Sequence, residues 1–312
     1  MTSLPRSRAG SVLRFRRSAV AALLAAGLSM AAYGGAPART PLRLGVVTFY
    51  SPRLMYMKYQ PLVDFLAAQS GDEWELDLRE SYDDTIVALC SGAIDVAYLS
   101  PLAYVRADAR CGAIPVVRLM THGKSTYQGL IMVRNESAIR SLGDLRGRTI
   151  ALGAPMATSS WLVAWEMLKQ AGLRLGVDLT CRNYDQHERA ARAVLLGDAD
   201  ACAVRDIVGE KFVNRGLRVL AESDPLPNFP LVVAPSGAPR LKDLLERGLV
   251  FLPTTDGEVR KMISAWDEEL SGGFAVAKAS DYEPVRALAL RVLGPKALTM
   301  PEAEAGCGGG GP

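Results

Sequence analysis

From residue 42 on, the chain alternates short apolar runs with amphipathic stretches, and that rhythm constrains its fold more than any other feature. An apolar run, Leu42 to Val47, leads into a segment with Pro61 near the expected first helical turn and Leu62, Phe65 and Leu66 on one face, closed by Gly71. Trp74, Leu76 and Leu78 alternate with Glu75, Asp77 and Arg79, the period-2 signature of a strand with one polar face. A helix over Asp83 to Cys90, a strand over Asp95 to Leu99, a helix from Pro101 and a strand over Ile114 to Leu119 follow. Strands alternating with helices in this way predict a mostly parallel sheet covered on both faces.

The rhythm then restarts. Strands are expected at Gly129 to Arg134, Thr149 to Leu152, Leu179 to Asn183 and Ala199 to Val204. Helices are expected near Leu142 to Leu145, Ser160 to Gln170, His187 to Leu196, and from Val204 to about Asn214. A phrase repeats between the halves: Gly92-Ala93-Ile94-Asp95 and Gly197-Asp198-Ala199-Asp200 each sit between a helix and a strand. Gly can end the helix in the left-handed conformation and Asp can begin the strand. Beyond Leu231 to Val233, helices near Lys242 to Glu246, Gly257 to Leu270 and Tyr282 to Leu293 are too few for a third unit and are expected to return to the first. The fold class is therefore α/β, two Rossmann-like lobes joined by a two-crossing hinge near Lys124 to Gln128 and Asn228 to Pro230. The expected division is lobe 1 over 39–126, lobe 2 over 127–229, lobe 1 again over 230–300, and a disordered Gly-rich tail over 301–312.

Residues 1–38 read as a signal peptide. Five arginines without an acid precede an apolar run from Ala19 to Ala32, and Ala36 and Ala38 suit a signal-peptidase site. The run is too short for a comfortable membrane span, although an uncleaved anchor is the alternative. Arg16-Arg17 resembles the twin-arginine export signal only weakly. The expected localisation is the periplasm. The sequence pI of 8.6 belongs to the leader: removing it takes away basic residues only and leaves a slight acidic excess, with no basic cluster for a nucleic acid.

Export permits disulfides. Cys90 and Cys111 flank one strand–helix unit and are placed for a bridge. Cys181 and Cys202 can pair only if their strands are neighbours. Buried free thiols are the alternative for both pairs, and Cys307 falls in the tail. No CxxC pair points to zinc, and no metal or cofactor is expected.

Two strand-to-helix turns carry the chemistry. In the first, Val96 to Leu99 runs into Ser100-Pro101, a good N-cap and N1 pair. In the second, Thr149 to Leu152 leads through Gly153-Ala154-Pro155 to Thr158-Ser159-Ser160. Helix N-termini offer unpaired N–H groups and partial positive charge, and hydroxyls add donors, so two such ends facing each other make an oxyanion site. Tyr82, Tyr127 and His187 lie near strand ends or the hinge and can join them. For each of these residues alone, an ordinary cap or half-buried structural role is the competing explanation. The candidate ligand-binding set is Tyr82, Ser100, Tyr127, Thr158, Ser159, Ser160 and His187, with no catalytic residue.

The order of these markers resembles the phosphate/phosphite/phosphonate ABC-transporter substrate-binding proteins, which have the type II periplasmic binding fold. Further markers are Tyr59-Gln60-Pro61-Leu62, Ser100-Pro101-Leu102-Ala103-Tyr104, Leu142-Gly143-Asp144-Leu145-Arg146-Gly147, Gly272-Gly273-Phe274 and Asp281-Tyr282-Glu283-Pro284. The resemblance implies that Tyr82, Tyr127, Thr158, Ser159 and His187 hold phosphonate oxygens. It also implies a permease and an ATPase as partners and a small oxyanion ligand; a monomer is expected. Two departures stand out. Ser160 occupies a position where the family has Gly. The second crossing reads Asn228-Phe229-Pro230, without the acid that pairs the amine of aminoalkyl phosphonates. A sensory binding protein for a membrane receptor and a dehydratase-like enzyme on the same fold are the alternatives. The chain lacks a GxSxG elbow and an HExxH pair, and it has only two histidines, His122 and His187.

Overall fold

The computed structural model describes Thr2 and residues 40–48, 50–184, 186–252, 256–304 and 307. The expected signal peptide lies outside the described residues, apart from Thr2. Residues from Pro41 on form one compact unit built on two sheets.

The first sheet has strand order β13-β4-β12-β3-β1-β2. Its strands are β1 (Leu42–Val47), β2 (Trp74–Arg79), β3 (Val96–Tyr98), β4 (Ile114–Leu119), β12 (Pro230–Val233) and β13 (Phe274–Val276). β1 pairs with β2 and β3 in parallel. β12 slots antiparallel between β3 and β4, and β13 runs antiparallel beside β4. The second sheet has the order β10-β6-β9-β7-β8, with β6 (Gly129–Arg134), β7 (Thr149–Leu152), β8 (Thr180–Asn183), β9 (Ala201–Arg205) and β10 (Leu217–Glu222). β7 pairs in parallel with β8 and β9, and β6 is antiparallel to β9 and β10. Between the sheets, β5 (Thr126–Tyr127) pairs with β11 (Leu226–Pro227), so the two crossings travel side by side.

The repeated phrase has a structural meaning. β12-β3-β1-β2 and β6-β9-β7-β8 are the same arrangement, one antiparallel strand beside three parallel ones. In the first, Gly92 ends a helix at φ 76 and the Asp95 carboxylate accepts from the Arg43 N–H at 2.8 Å, at the head of β1. In the second, Gly197 ends a helix at φ 85 and the Asp200 carboxylate accepts from the Thr149 N–H at 2.9 Å, at the head of β7. Each aspartate satisfies a strand-end donor that its parallel neighbour does not reach.

Helices begin where their caps are. Ser81 accepts from Asp84 N–H ahead of α2 (Tyr82–Ser91), and Ser100 accepts from Ala103 N–H ahead of α3 (Pro101–Cys111). The first helix, α1 (Pro52–Ser70), starts with Pro52, so Pro61 lies inside it rather than in its first turn. The carbonyl deprived of a donor there belongs to Met57, an exposed residue with access to water. α4 (Ala164–Gln170), α5 (His187–Leu196) and α6 (Asp206–Val213) cover the second sheet. α7 (Ala238–Leu245), α8 (Gly257–Ile263) and α9 (Glu283–Leu293) follow β12. The expected helix over 257–270 stops at Ile263, and the following turn folds Asp267 back onto Lys58. β10 and β13 were not expected. Leu217–Glu222 is a half-buried edge strand without strict alternation, and Phe274–Val276 is three residues long.

The cysteine pairing decides between alternatives that the sequence leaves open. Cys90 bridges Cys111, but Cys181 bridges Cys307, and Cys202 is a buried free thiol. β7 lies between the strands of Cys181 and Cys202, so those two sulfurs cannot meet. The tail is correspondingly ordered in part. Residues 302–304 form a turn whose Glu302 carboxylate accepts from the Tyr82 and Asp83 N–H groups, and Cys307 is tied down. Residues 305, 306 and 308–312 lie outside the described residues.

Candidate functional site

The carboxyl ends of β3 and β7 face each other, as α/β ligand sites require. β3 runs into Ser100 and α3. Pro101 removes one helix-start N–H. The Ser100 hydroxyl accepts from Ala103 N–H at 3.2 Å, and the Ser100 carbonyl accepts from Tyr104 N–H at 2.8 Å. The remaining donor, Leu102 N–H, goes to the Thr158 hydroxyl at 2.9 Å, from the loop after β7. The start of α3 is therefore fully capped, with one cap supplied by the other sheet. This corrects the expectation that its N–H groups stand unpaired.

Thr158 to Val163 form a π-type turn that continues into α4, with Leu162 N–H bonded to the Ala157 carbonyl at 3.1 Å. Thr158, Ser159 and Ser160 are all buried. As at any helix start, their N–H groups lack partners inside the helix. The Tyr127 hydroxyl faces the hydroxyls of Ser159 and Thr158 and makes no hydrogen bond of good geometry. Tyr82 and Ser100 are hydrogen-bonded through their hydroxyls. Burial pushes both tyrosines well above the ordinary phenol range, so each keeps its proton to donate.

His187, first residue of α5, is half-buried, and desolvation of its imidazole, helped by the Arg205 charge, lowers its pKa from 6.5 to about 3. It is neutral. Its Nδ1 accepts from Arg205 N–H at 3.4 Å, which leaves the proton on Nε2 as a donor.

Tyr82 and His187 line a small cavity of about 40 Å³, together with Tyr50, Tyr59, Gln186, Glu188, Arg205, Val208, Phe229 and Glu269. Ser100, Tyr127, Thr158 and Ser159 cluster at the contact between the sheets. Ser160 is turned toward Gly153, whose missing side chain makes room for its hydroxyl, and that hydroxyl has no hydrogen-bond partner.

Sequence reasoning missed Arg205, Glu269, Tyr50, Tyr59 and Phe229. The Arg205 guanidinium is buried, 2.7 Å from the Glu269 carboxylate, and donates to the Asn228 side-chain oxygen at 3.2 Å. It lies 4.8 Å from the Tyr127 ring centre and 4.7 Å from that of Phe229. Glu269 also accepts from the Tyr98 hydroxyl at 2.8 Å. A signal for Arg205 existed: it ends the apolar run 201–204, at the carboxyl end of a parallel strand. Glu269 had none, because it arrives from the turn after α8. Among the described residues, no group of three or more His, Cys, Asp and Glu side chains is arranged to hold a metal ion. No helix of the described residues is long and apolar enough to cross a membrane.

Comparison with known proteins adds to this geometry. Residues 44–282 match the family described as the periplasmic substrate-binding protein of phosphonate ABC transporters. The phosphate-import protein PhnD of Mycolicibacterium smegmatis is 26% identical over 164 residues, covering 49% of this chain and 51% of that protein. The match thus spans about half the length of that relative. A binding protein component of an ABC phosphonate transporter from Pseudomonas aeruginosa superposes with a TM-score of 0.70 at 20% identity, covering 81% of this chain and 87% of that one. PhnD1 from Prochlorococcus marinus, solved in complex with methylphosphonate, gives 0.72 at 14% identity, covering 81% and 98%. At such identities the superpositions speak for the fold alone.

Proposed function

Because the chain belongs to the family of periplasmic substrate-binding proteins of phosphonate ABC transporters, we propose that it captures a phosphonate-, phosphite- or phosphate-like oxyanion between its two sheets and presents it to a permease and ATPase. One observation carries the reading. Neutral donors from both sheets form two linked groups: Tyr82 and the His187 Nε2–H at the cavity, and Ser100, Tyr127, Thr158 and Ser159 at the contact between the sheets, joined through the Tyr82–Ser100 hydrogen bond. An oxyanion held by neutral hydrogen bonds in a desolvated site is bound strongly without a covalent partner or a proton transfer.

We take the two sheets as the two lobes, with the hinge at the paired β5 and β11, and residues 1–38 as a secretory leader that places the mature chain in the periplasm as a monomer. Closure would bring the lobes together around the anion, and the ligand favours closure only to the extent that it prefers that form. Capture rather than turnover is supported by the desolvated surroundings of these groups: burial keeps His187 neutral far into the acid range and the site tyrosines protonated, so neither is poised for proton transfer near neutrality.

Thermal shift against phosphate, phosphite, methylphosphonate, 2-aminoethylphosphonate, sulfate and several carboxylates tests the reading. A ligand that binds only the native state raises the melting temperature by mass action. A large rise with a phosphorus oxyanion is expected. No rise with any of them removes the assigned ligand class. Loss of that rise in a Thr158→Ala/Ser159→Ala protein that still folds assigns the site, and an unchanged rise refutes the assignment.

A further inference from the structure

Arg205 has the surroundings of a bound organic cation. Its guanidinium packs against the faces of Tyr127 and Phe229, pairs with the Glu269 carboxylate and reaches the Asn228 side-chain oxygen. Aromatic faces, a carboxylate and an amide oxygen are the groups that would receive an alkylammonium. The walls around this position are acidic as well: Glu188 and Glu269 line the same cavity, and Asp267, Glu269, Glu188 and Glu268 add to burial, the larger cause, in raising the Tyr50 phenol above its ordinary range.

Resting on the oxyanion reading above, we propose that Arg205 is a specificity-determining residue: it fills the cation-binding box of the cavity with the protein's own charge, and so selects oxyanions without an amine over aminoalkyl phosphonates. A guanidinium does not lose its proton in a protein, so the box is filled at every physiological pH. To enter, a ligand amine has to displace a buried cation from its carboxylate. If Arg205 is removed, Glu269 becomes a half-buried carboxylate whose remaining donor is the Tyr98 hydroxyl, and an incoming ammonium restores the missing charge.

Titration calorimetry on the wild-type protein and two variants tests this. Wild type is expected to bind methylphosphonate at least about thirtyfold more tightly than 2-aminoethylphosphonate, the scale of displacing a desolvated charge partner. Equal affinities overturn the proposal without recourse to any variant. Arg205→Ala is expected to shift the affinity ratio toward the amine by about tenfold or more, while Arg205→Lys, which keeps a cation, stays within about threefold of wild type. A ratio that does not move in Arg205→Ala, or that moves as far in Arg205→Lys, refutes it. Equal losses for both ligands in Arg205→Ala also refute it, because Arg205 would then be holding the oxyanion. If wild type binds neither ligand, nor phosphate nor phosphite, the oxyanion reading has failed on its own. The box is then probed by melting Arg205→Ala in ethylammonium chloride against sodium chloride. A larger ethylammonium-dependent rise than in wild type supports the box, and an equal rise overturns it.

Discussion

Replacing Thr158 with valine keeps the side-chain volume and removes one oxygen. In the structure that oxygen accepts the Leu102 N–H at 2.9 Å, and Thr158 is 1% exposed. The other donors at the start of α3 are capped by Ser100 within their own sheet, so only this one depends on the two sheets meeting. Where the sheets touch, valine leaves a buried N–H with no acceptor, which costs about 1–3 kcal/mol. Where they separate, water caps the N–H and the cost disappears. The penalty therefore falls on the closed form. At about 1.4 kcal/mol per tenfold, it should weaken ligand affinity by roughly fivefold to a hundredfold. Calorimetric affinity, for whichever oxyanion gives the largest thermal shift, is the readout. Small-angle scattering should show the ligand-free variant more extended than wild type. An affinity within about twofold of wild type, with an unchanged scattering profile, would refute the idea that this hydrogen bond couples the sheets.

His187 makes the fold sensitive to acid. Its folded pKa of about 3 lies below the unfolded 6.5, so the unfolded chain binds the extra proton and the stabilising contribution is lost as pH falls from about 6.5 toward 3. The slope is up to about 1.4 kcal/mol per pH unit, and denaturant titrations of His187→Gln across that range should lack it. Asp95→Ala and Asp200→Ala should each cost about 1–3 kcal/mol, and by similar amounts, because each strands one strand-end N–H; chemical denaturation showing one costly and the other silent would break the equivalence of the two sheets. Non-reducing peptide mapping should find Cys90 joined to Cys111 and Cys181 to Cys307, with Cys202 free; losing the shorter link by Cys90→Ala/Cys111→Ala should destabilise by about 2–4 kcal/mol. Gly153→Ala would put a methyl group 2.0 Å from the Ser160 hydroxyl, so it should lower both the melting temperature and ligand affinity by displacing the hydroxyl loop, and Ser160→Gly should restore them; failure of that rescue would show that the clash lies elsewhere.

What the sequence determined by itself is the local part. Hydrophobic periodicity located most strands and helices, because a strand or helix face is written in residues a few positions apart. Ser100 with Pro101, and Gly92 and Gly197 at their helix ends, were legible because caps act within one turn. The hydroxyl loop at 158–160 and His187 were legible because ligands collect at the ends of parallel strands. Pro61 misled for the same reason: a proline is read as a helix start, and only the course of α1 showed it mid-helix, with the unpaired Met57 carbonyl on an exposed face. Tertiary structure alone decided which distant groups meet. The insertion of β12 between β3 and β4 put Phe229 and Asn228 beside Arg205, and the turn after α8 brought Glu269 to the same place. β7 separates Cys181 from Cys202, while the tail carries Cys307 to Cys181. The Thr158 cap on α3 exists only because two separately encoded strand ends face each other. Periodicity and capping are short-range and leave their mark on neighbouring residues, whereas a charge pair or a sulfur bridge between remote segments is set by how the chain returns, and no local pattern records that.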